Sequence, residues 1–160
     1  MRRSGPMPSF GLAVLFFAAA GLPGMTPLSA QVAEVKLFAM TELKAGSGGH
    51  FVTKADINNQ AVDVLVDTGA SAVALSYEDA ERVGLRPDSL TFNVPVSTAN
   101  GQGKAAQVVL RQVEIDNVRV QDVQGLVLQK GVMNGTLLGM SFLSRLRSFT
   151  VENGKLILKN

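Results

Sequence analysis

From residue 51 onward, apolar and polar positions alternate in short runs. Phe51, Thr53, Ala55 and Ile57 fall on one face of an extended segment, and Val52, Lys54 and Asp56 on the other. That is the period of a half-buried strand. Asn58-Asn59-Gln60 breaks the run and Ala61 to Val66 resumes it, which predicts a hairpin. Ser71 to Leu75 predicts another short strand. Ser76 is a helix-cap residue with Asp79 three positions on, where a capping box places its acid. The helix is expected over Tyr77 to Val83, with Gly84 as its stop. Leu90 to Ser97 reads as extended, residues 98–103 as a polar, glycine-containing turn, and Lys104 to Ile115 as a long strand. Asp116-Asn117 turns the chain into Val118 to Leu128, and Gly131 to Gly135 is a loop. Leu137-Leu138-Gly139 is a short apolar strand, and Met140 to Leu146 suits one or two helical turns. Asn153-Gly154 joins the last two strands, the strongest short hairpin signal in the chain. Short strands at this spacing predict an all-β barrel or sandwich carrying one or two small helices.

The first 30 residues follow another pattern. Arg2-Arg3 is a positive start, Phe10 to Leu22 is an uncharged and mostly apolar run, and Leu28-Ser29-Ala30 is an imperfect small-residue cleavage site. This predicts a signal peptide or an N-terminal membrane anchor over residues 1–30. The run at 10–22 is short for a spanning helix, which needs about 20 residues. Residues 31–49 form a lead-in, with Val32 to Met40 apolar enough to pack or pair and Ala45 to Gly49 a flexible break. The expected location is therefore exported, either periplasmic or anchored in the inner membrane facing the periplasm.

Composition removes several classes of function. The chain is 46% hydrophobic and 18% charged, which argues against disorder. Its pI of about 9.2 misleads. Arg2 and Arg3 are the only charges in residues 1–30, and without them the 15 Lys+Arg fall to the number of Asp+Glu, 13. A neutral domain offers no electrostatic footprint for nucleic acid. Cysteine is absent and His50 is the single histidine, so the usual zinc set cannot be built within one chain. A Ser-His-Asp triad would need His50, and no Gly-x-Ser-x-Gly elbow accompanies it. His50 is expected to face solvent at a strand start. Gly101-Gln102-Gly103-Lys104-Ala105 lacks the spacing of a phosphate-binding loop and opens no helix. The reading calls for no cofactor and no metal.

One acidic residue stands out. Asp67 ends the run Val62-Asp63-Val64-Leu65-Val66 and is followed by Thr68-Gly69-Ala70-Ser71 and a second apolar stretch. A carboxylate leaving a strand at a tight turn amid hydrophobic chain is costly without a partner or a chemical role. A plain Asp-Gly-type turn between strands would look similar. The flanking Val64-Leu65-Val66 and Val73-Ala74-Leu75, and Leu137-Leu138-Gly139 about seventy residues on, favour the chemical role.

Taken in order, Val66-Asp67-Thr68-Gly69-Ala70-Ser71, the hairpin tip Thr98-Ala99-Asn100-Gly101 and the segment Leu137 to Leu143 resemble the single-lobe, retropepsin-like aspartic proteases, and within them the bacterial exported group. The resemblance covers roughly residues 45–160, with the protease domain over residues 50–160. It implies a closed acid-protease barrel with a hairpin flap. It makes Asp67 the catalytic carboxylate, supported by Thr68, Gly69 and Ala70. Thr98, Ala99, Asn100 and Gly101 become the flap over the substrate, and Leu137, Leu138 and Gly139 the strand packed beside the catalytic loop. Thr68 hydroxyls would lock two such loops together. None of the other aspartates of residues 31–160 begins an Asp-Thr/Ser-Gly, so two facing carboxyls require a homodimer. The expected function is aspartic endopeptidase. The expected partners are a protein or peptide substrate, a second copy of the chain and a membrane tether through residues 10–22. Two other readings stay open: an inactive relative that binds peptide or dimerises, and an unrelated exported β-domain.

Overall fold

The computed structural model describes residues 38–98 and 101–160. The alternation after residue 51 becomes a hairpin of β2 (Val52–Ile57) and β3 (Gln60–Val66), preceded in the chain by β1 (Met40–Lys44). Ala55 pairs with Val62 and Thr53 with Val64, so the apolar members share a face. Ala55, Ile57, Val62 and Val64 are fully buried. Asn58 and Asn59 turn the hairpin at φ of 54° and 71°, a left-handed conformation that asparagine tolerates. Asn58 is itself buried, and its side-chain oxygen accepts from the Arg111 N–H at 2.8 Å.

The remaining strands are β4 (Val73–Leu75), β5 (Val94–Thr98), β6 (Gly101–Ile115), β7 (Val118–Leu128), β8 (Thr136–Leu138), β9 (Ser148–Glu152) and β10 (Lys155–Lys159). Among the described residues, seven strands form one sheet in the order β2-β3-β8-β4-β7-β6-β5. Asp56 and Ile57 of β2 also pair with Glu114 and Val113 of β6. The sheet thus returns on itself and closes a barrel, while β5 stays outside the ring as one arm of the β5–β6 hairpin. A second sheet runs β1-β10-β9. Its β9–β10 turn, Asn153-Gly154, has φ of 49° and 71°, as a two-residue hairpin of this kind requires. Thr41 of β1 hydrogen-bonds to Asp116 in the β6–β7 turn and fastens this sheet to the barrel.

Two short helices complete the fold, α1 (Tyr77–Arg82) and α2 (Met140–Leu143). Ser76 Oγ caps α1 by accepting from the Asp79 N–H at 3.1 Å. Gly84, at φ 79°, ends it. The main core runs through the barrel and includes Ile57, Leu75, Leu110, Ile115, Phe142 and Leu158. Burying each such side chain contributes about 1.5–3 kcal/mol.

Three local expectations change. The extended stretch foreseen from Leu90 begins as a strand only at Val94, after a 3-10 turn at Pro87–Ser89. Leu90 and Phe92 satisfy their alternation by packing on the core without a partner strand. The strand foreseen from Ser71 is only Val73–Leu75, because Ala70 and Ala72 instead cover Gly139. Within the break foreseen at Ala45 to Gly49, Ser47–Gly49 forms a 3-10 turn. His50 follows that turn and is exposed. Among the described residues no helix is long and apolar enough to cross a membrane. The segment 1–30, with its apolar run at 10–22, lies outside the described residues.

Candidate active site

Asp67 directly continues β3, and backbone holds the position it occupies. β3 runs parallel to β8, with Val64 opposite Thr136 and Val66 opposite Leu138. The Asp67 N–H extends that ladder by donating to the Leu138 carbonyl at 3.1 Å. The Ala70 N–H then donates to the Asp67 carbonyl at 3.3 Å and closes a turn. Inside the turn the Gly69 N–H donates to Asp67 Oδ1 at 2.8 Å. A Cβ on Gly69 would stand 3.1 Å from that same oxygen, so glycine lets the backbone approach the carboxylate. Among the described residues no hydrogen bond reaches Oδ2. Asp67 is half-buried, and Thr68 and Gly69 are exposed.

The back of the loop is closed by β8 and α2. Leu138 and Gly139 are buried. A Cβ on Gly139 would overlap the Ala72 carbonyl oxygen and lie 2.7 Å from that of Ala70. The Met140 N–H donates to the Ala70 carbonyl at 2.8 Å. Ser141, which the pattern of the chain does not single out, joins three elements. Its Oγ accepts from the Val73 N–H at 2.9 Å and donates to the Gln124 carbonyl at 2.6 Å.

The β5–β6 hairpin supplies the other side. Thr98 pairs with Gly101, and Thr98 Oγ1 donates to the Gly101 carbonyl at 3.0 Å. Gly101 sits at φ 116°, where a side chain is strained. Ala99 and Asn100, the remaining expected flap residues, lie outside the described residues. Below the tip a small apolar cluster joins the hairpin to the loop side. Ala74, Ala105 and Leu128 are buried in it, with Val96, Val132 and Leu137 packed around them. Leu137 pairs with Ala74 and packs in this cluster, while the Leu138 carbonyl accepts the Asp67 N–H. Gly103 makes the tightest junction, since a Cβ there would come within 2.9 Å of Val132 Cγ1.

Val132 belongs to the loop between β7 and β8. Lys130 of the same loop lies 5.6 Å from the centre of the Tyr77 ring. The Tyr77 hydroxyl donates to Asp88, and this bond, with burial and nearby carboxylates, pushes it up to about 12. Among the described residues no three His, Cys, Asp or Glu side chains gather as a metal set.

A closed β-barrel with an Asp-Thr-Gly loop at the end of one strand, backed by an apolar-apolar-glycine strand and faced by a hairpin, defines an aspartic protease frame of retropepsin type. Residues 53–145 match the family described as "gag-polyprotein putative aspartyl protease", and the chain belongs to that family. Among solved structures it is similar to a retropepsin-like aspartic protease from Rickettsia conorii, with 34% identity and a TM-score of 0.69 over 77% of this chain and 92% of that one. The protease of EIAV, solved with an inhibitor, shares the fold at 20% identity and a TM-score of 0.52, covering 64% of this chain and 93% of that one. Two curated relatives are uncharacterised. One, from the cobV 5' region of a Sinorhizobium species, is 44% identical over 70% of this chain and 48% of its own length. The other, from Rickettsia prowazekii (strain Madrid E), is 39% identical over 69% of this chain and 47% of its own. The chain thus spans about half the length of the curated relatives it matches.

Proposed function

We propose that this protein is an aspartic endopeptidase whose active site forms between Asp67 of one chain and Asp67 of a second copy. The observation that carries this reading is the Asp67 carboxylate itself. It is half-exposed in a backbone-locked turn, with Oδ1 held by the Gly69 N–H and Oδ2 without a hydrogen bond among the described residues. A single Asp-Thr-Gly per chain supplies half of a two-carboxyl site. The exposed Thr68 beside it is available to contact the partner loop.

Two carboxyls a few ångströms apart cannot both ionise cheaply, so they share one proton and titrate as a pair. The ionised member takes a proton from a bound water, which attacks the peptide carbonyl. The protonated member donates to the carbonyl oxygen as it gains charge, and the pair then delivers a proton to the leaving nitrogen. The β5–β6 hairpin closes over an extended peptide and excludes bulk water. The activity is placed in the cell envelope, on the strength of Arg2-Arg3 and the apolar run from Phe10 to Leu22. Tethering there would raise the local concentration and favour pairing.

The test is peptide cleavage measured alongside sedimentation over a dilution series. Specific activity is expected to fall as the dimer dissociates, and excess Asp67→Asn chain is expected to poison the wild type by forming mixed dimers. Full activity per chain from a strictly monomeric species would exclude the shared site.

A further inference from the structure

Besides Asp67, the described residues withdraw another carboxylate from water. Asp79 on α1 is 6% exposed, and it is the only acidic residue among them that is buried. Holding an ion there is costly unless its oxygens are hydrogen-bonded. Helix capping accounts for none of it. In a capping box the acid would reach back to the N–H of the cap residue, but the Ser76 N–H donates instead to the Gly135 carbonyl at 3.2 Å. The carboxylate turns sideways. Oδ1 receives the Arg82 guanidinium, and Oδ2 accepts from Thr136 Oγ1 at 2.9 Å.

Thr136 is buried and opens β8, a strand of only three residues. At the other end of β8 the Leu138 carbonyl receives the Asp67 N–H. One short strand therefore carries the Asp79 bond at its entrance and the Asp67 bond at its exit. Burying an apolar pair at the Asp79–Thr136 contact would be about as stabilising as the polar one. What the charge-assisted hydrogen bond adds is a defined direction and length.

We infer that Asp79 is a positioning residue for Asp67: through Thr136 it fixes the placement of β8, and so of the carbonyl from which the Asp67 loop hangs. The kinetic part of this inference rests on the protease reading above, while the structural part does not.

The test uses the full chain with Thr136→Val, Thr136→Ser, Asp79→Ala and the Asp79→Ala/Thr136→Val double variant, assayed well below their melting temperatures. Thr136→Val and Asp79→Ala are expected to lower kcat about ten-fold or more, with KM within about two-fold of wild type. Thr136→Ser restores kcat, and the double variant loses no more than the worse single one. Amide hydrogen exchange gives a readout independent of cleavage. The Asp67 amide is expected to exchange at least about ten-fold faster in Thr136→Val, while those of Val113 and Val120 in the β6–β7 ladder keep their protection. If Thr136→Val does not fold, Thr136→Ser against Asp79→Asn, which keeps an acceptor but loses the charge, makes the same comparison. Unchanged exchange at Asp67, or an unchanged kcat in folded variants of an active enzyme, overturns the inference. A wild type that cleaves nothing but shows the exchange effect overturns the protease reading and leaves the positioning role standing.

Discussion

The Asp67 loop and the β5–β6 hairpin are secured differently. The loop is fastened by backbone: Asp67 to Leu138, Ala70 to Asp67 and Met140 to Ala70, with Gly139 wedged beneath two carbonyls. The hairpin is a two-stranded ladder whose outer arm, β5, lies outside the barrel ring. Its links to the loop side are one backbone bond, from the Gln129 N–H to the Lys104 carbonyl at 3.2 Å, a small apolar cluster and one glycine–valine contact. Backbone locks have one arrangement, whereas a few apolar contacts can be exchanged for others at little cost. Fewer fastenings hold the hairpin than hold the carboxylate, so the hairpin is the side expected to yield first to substitution.

The largest effect is expected from removing the chemistry while keeping the lock. Asp67→Asn retains an oxygen for the Gly69 N–H, so the fold and dimer are expected to survive while peptide cleavage falls by about 10²–10⁴-fold or more. Cleavage at the wild-type rate would sink the protease reading. The next effect is on the lock itself. Gly139→Ala pushes a methyl into the Ala70 and Ala72 carbonyls, which are backbone and cannot rotate away. Its cost is expected at or above the upper end of the about 1–3 kcal/mol typical of overpacking. Urea unfolding measures it, and a loss under about 0.5 kcal/mol would show that the loop yields.

Much of this architecture is legible in the amino-acid sequence, for a local reason. The β2–β3 and β9–β10 hairpins are written in alternation and turn residues that lie next to one another in the chain. The Asp67 loop is legible because its tight turn demands small residues at fixed offsets. The ties between elements are not legible in this way. Asp79 to Thr136 spans 57 positions and Val73 to Ser141 spans 68, and a hydroxyl carries no mark of its distant partner. Asp79 in particular reads as half of a capping box, and only the distant Thr136 hydroxyl and the Arg82 guanidinium redirect its carboxylate. Barrel closure is expected only through the family resemblance, since the β2–β6 seam is two residue pairs long. Leu90 to Asn93 misleads because an apolar period of two suits a strand and an unpaired packed segment equally well.

A moderate effect is expected where the hairpin meets the loop side. Gly103→Ala would set a methyl against Val132 Cγ1, a side-chain tip that can shift where a carbonyl cannot. The hairpin should lift from the β7–β8 loop, raising KM for a peptide several-fold with little change in kcat, as expected when binding alone is weakened. Adding Val132→Ala makes room and should return KM toward wild type, a coupling read from the double-mutant cycle. Equal KM in all four proteins would mean that this contact does not set the hairpin position. A loss of kcat as large as that of Asp67→Asn would erase the distinction between the two sides.

The smallest effect is expected at Asp63, on β3 four residues before Asp67. It tests whether position or mere acidity matters on β3. Its side chain is 72% exposed and pairs with Lys54 across the β2–β3 ladder at 2.8 Å. Both charges are hydrated already, so the pair gains little in folding, and salt screens what remains. Asp63 also lies within the paired part of β3, before the chain leaves the sheet at Asp67. Asp63→Asn is therefore expected to keep most of the cleavage activity and to change stability by no more than about 0.5 kcal/mol. Parallel melts at low and high salt, with kcat/KM at one pH, check both parts. A loss of activity approaching that of Asp67→Asn would place the working carboxylate inside the ladder and remove the reason for treating the glycine-locked turn as the reactive side of the cleft.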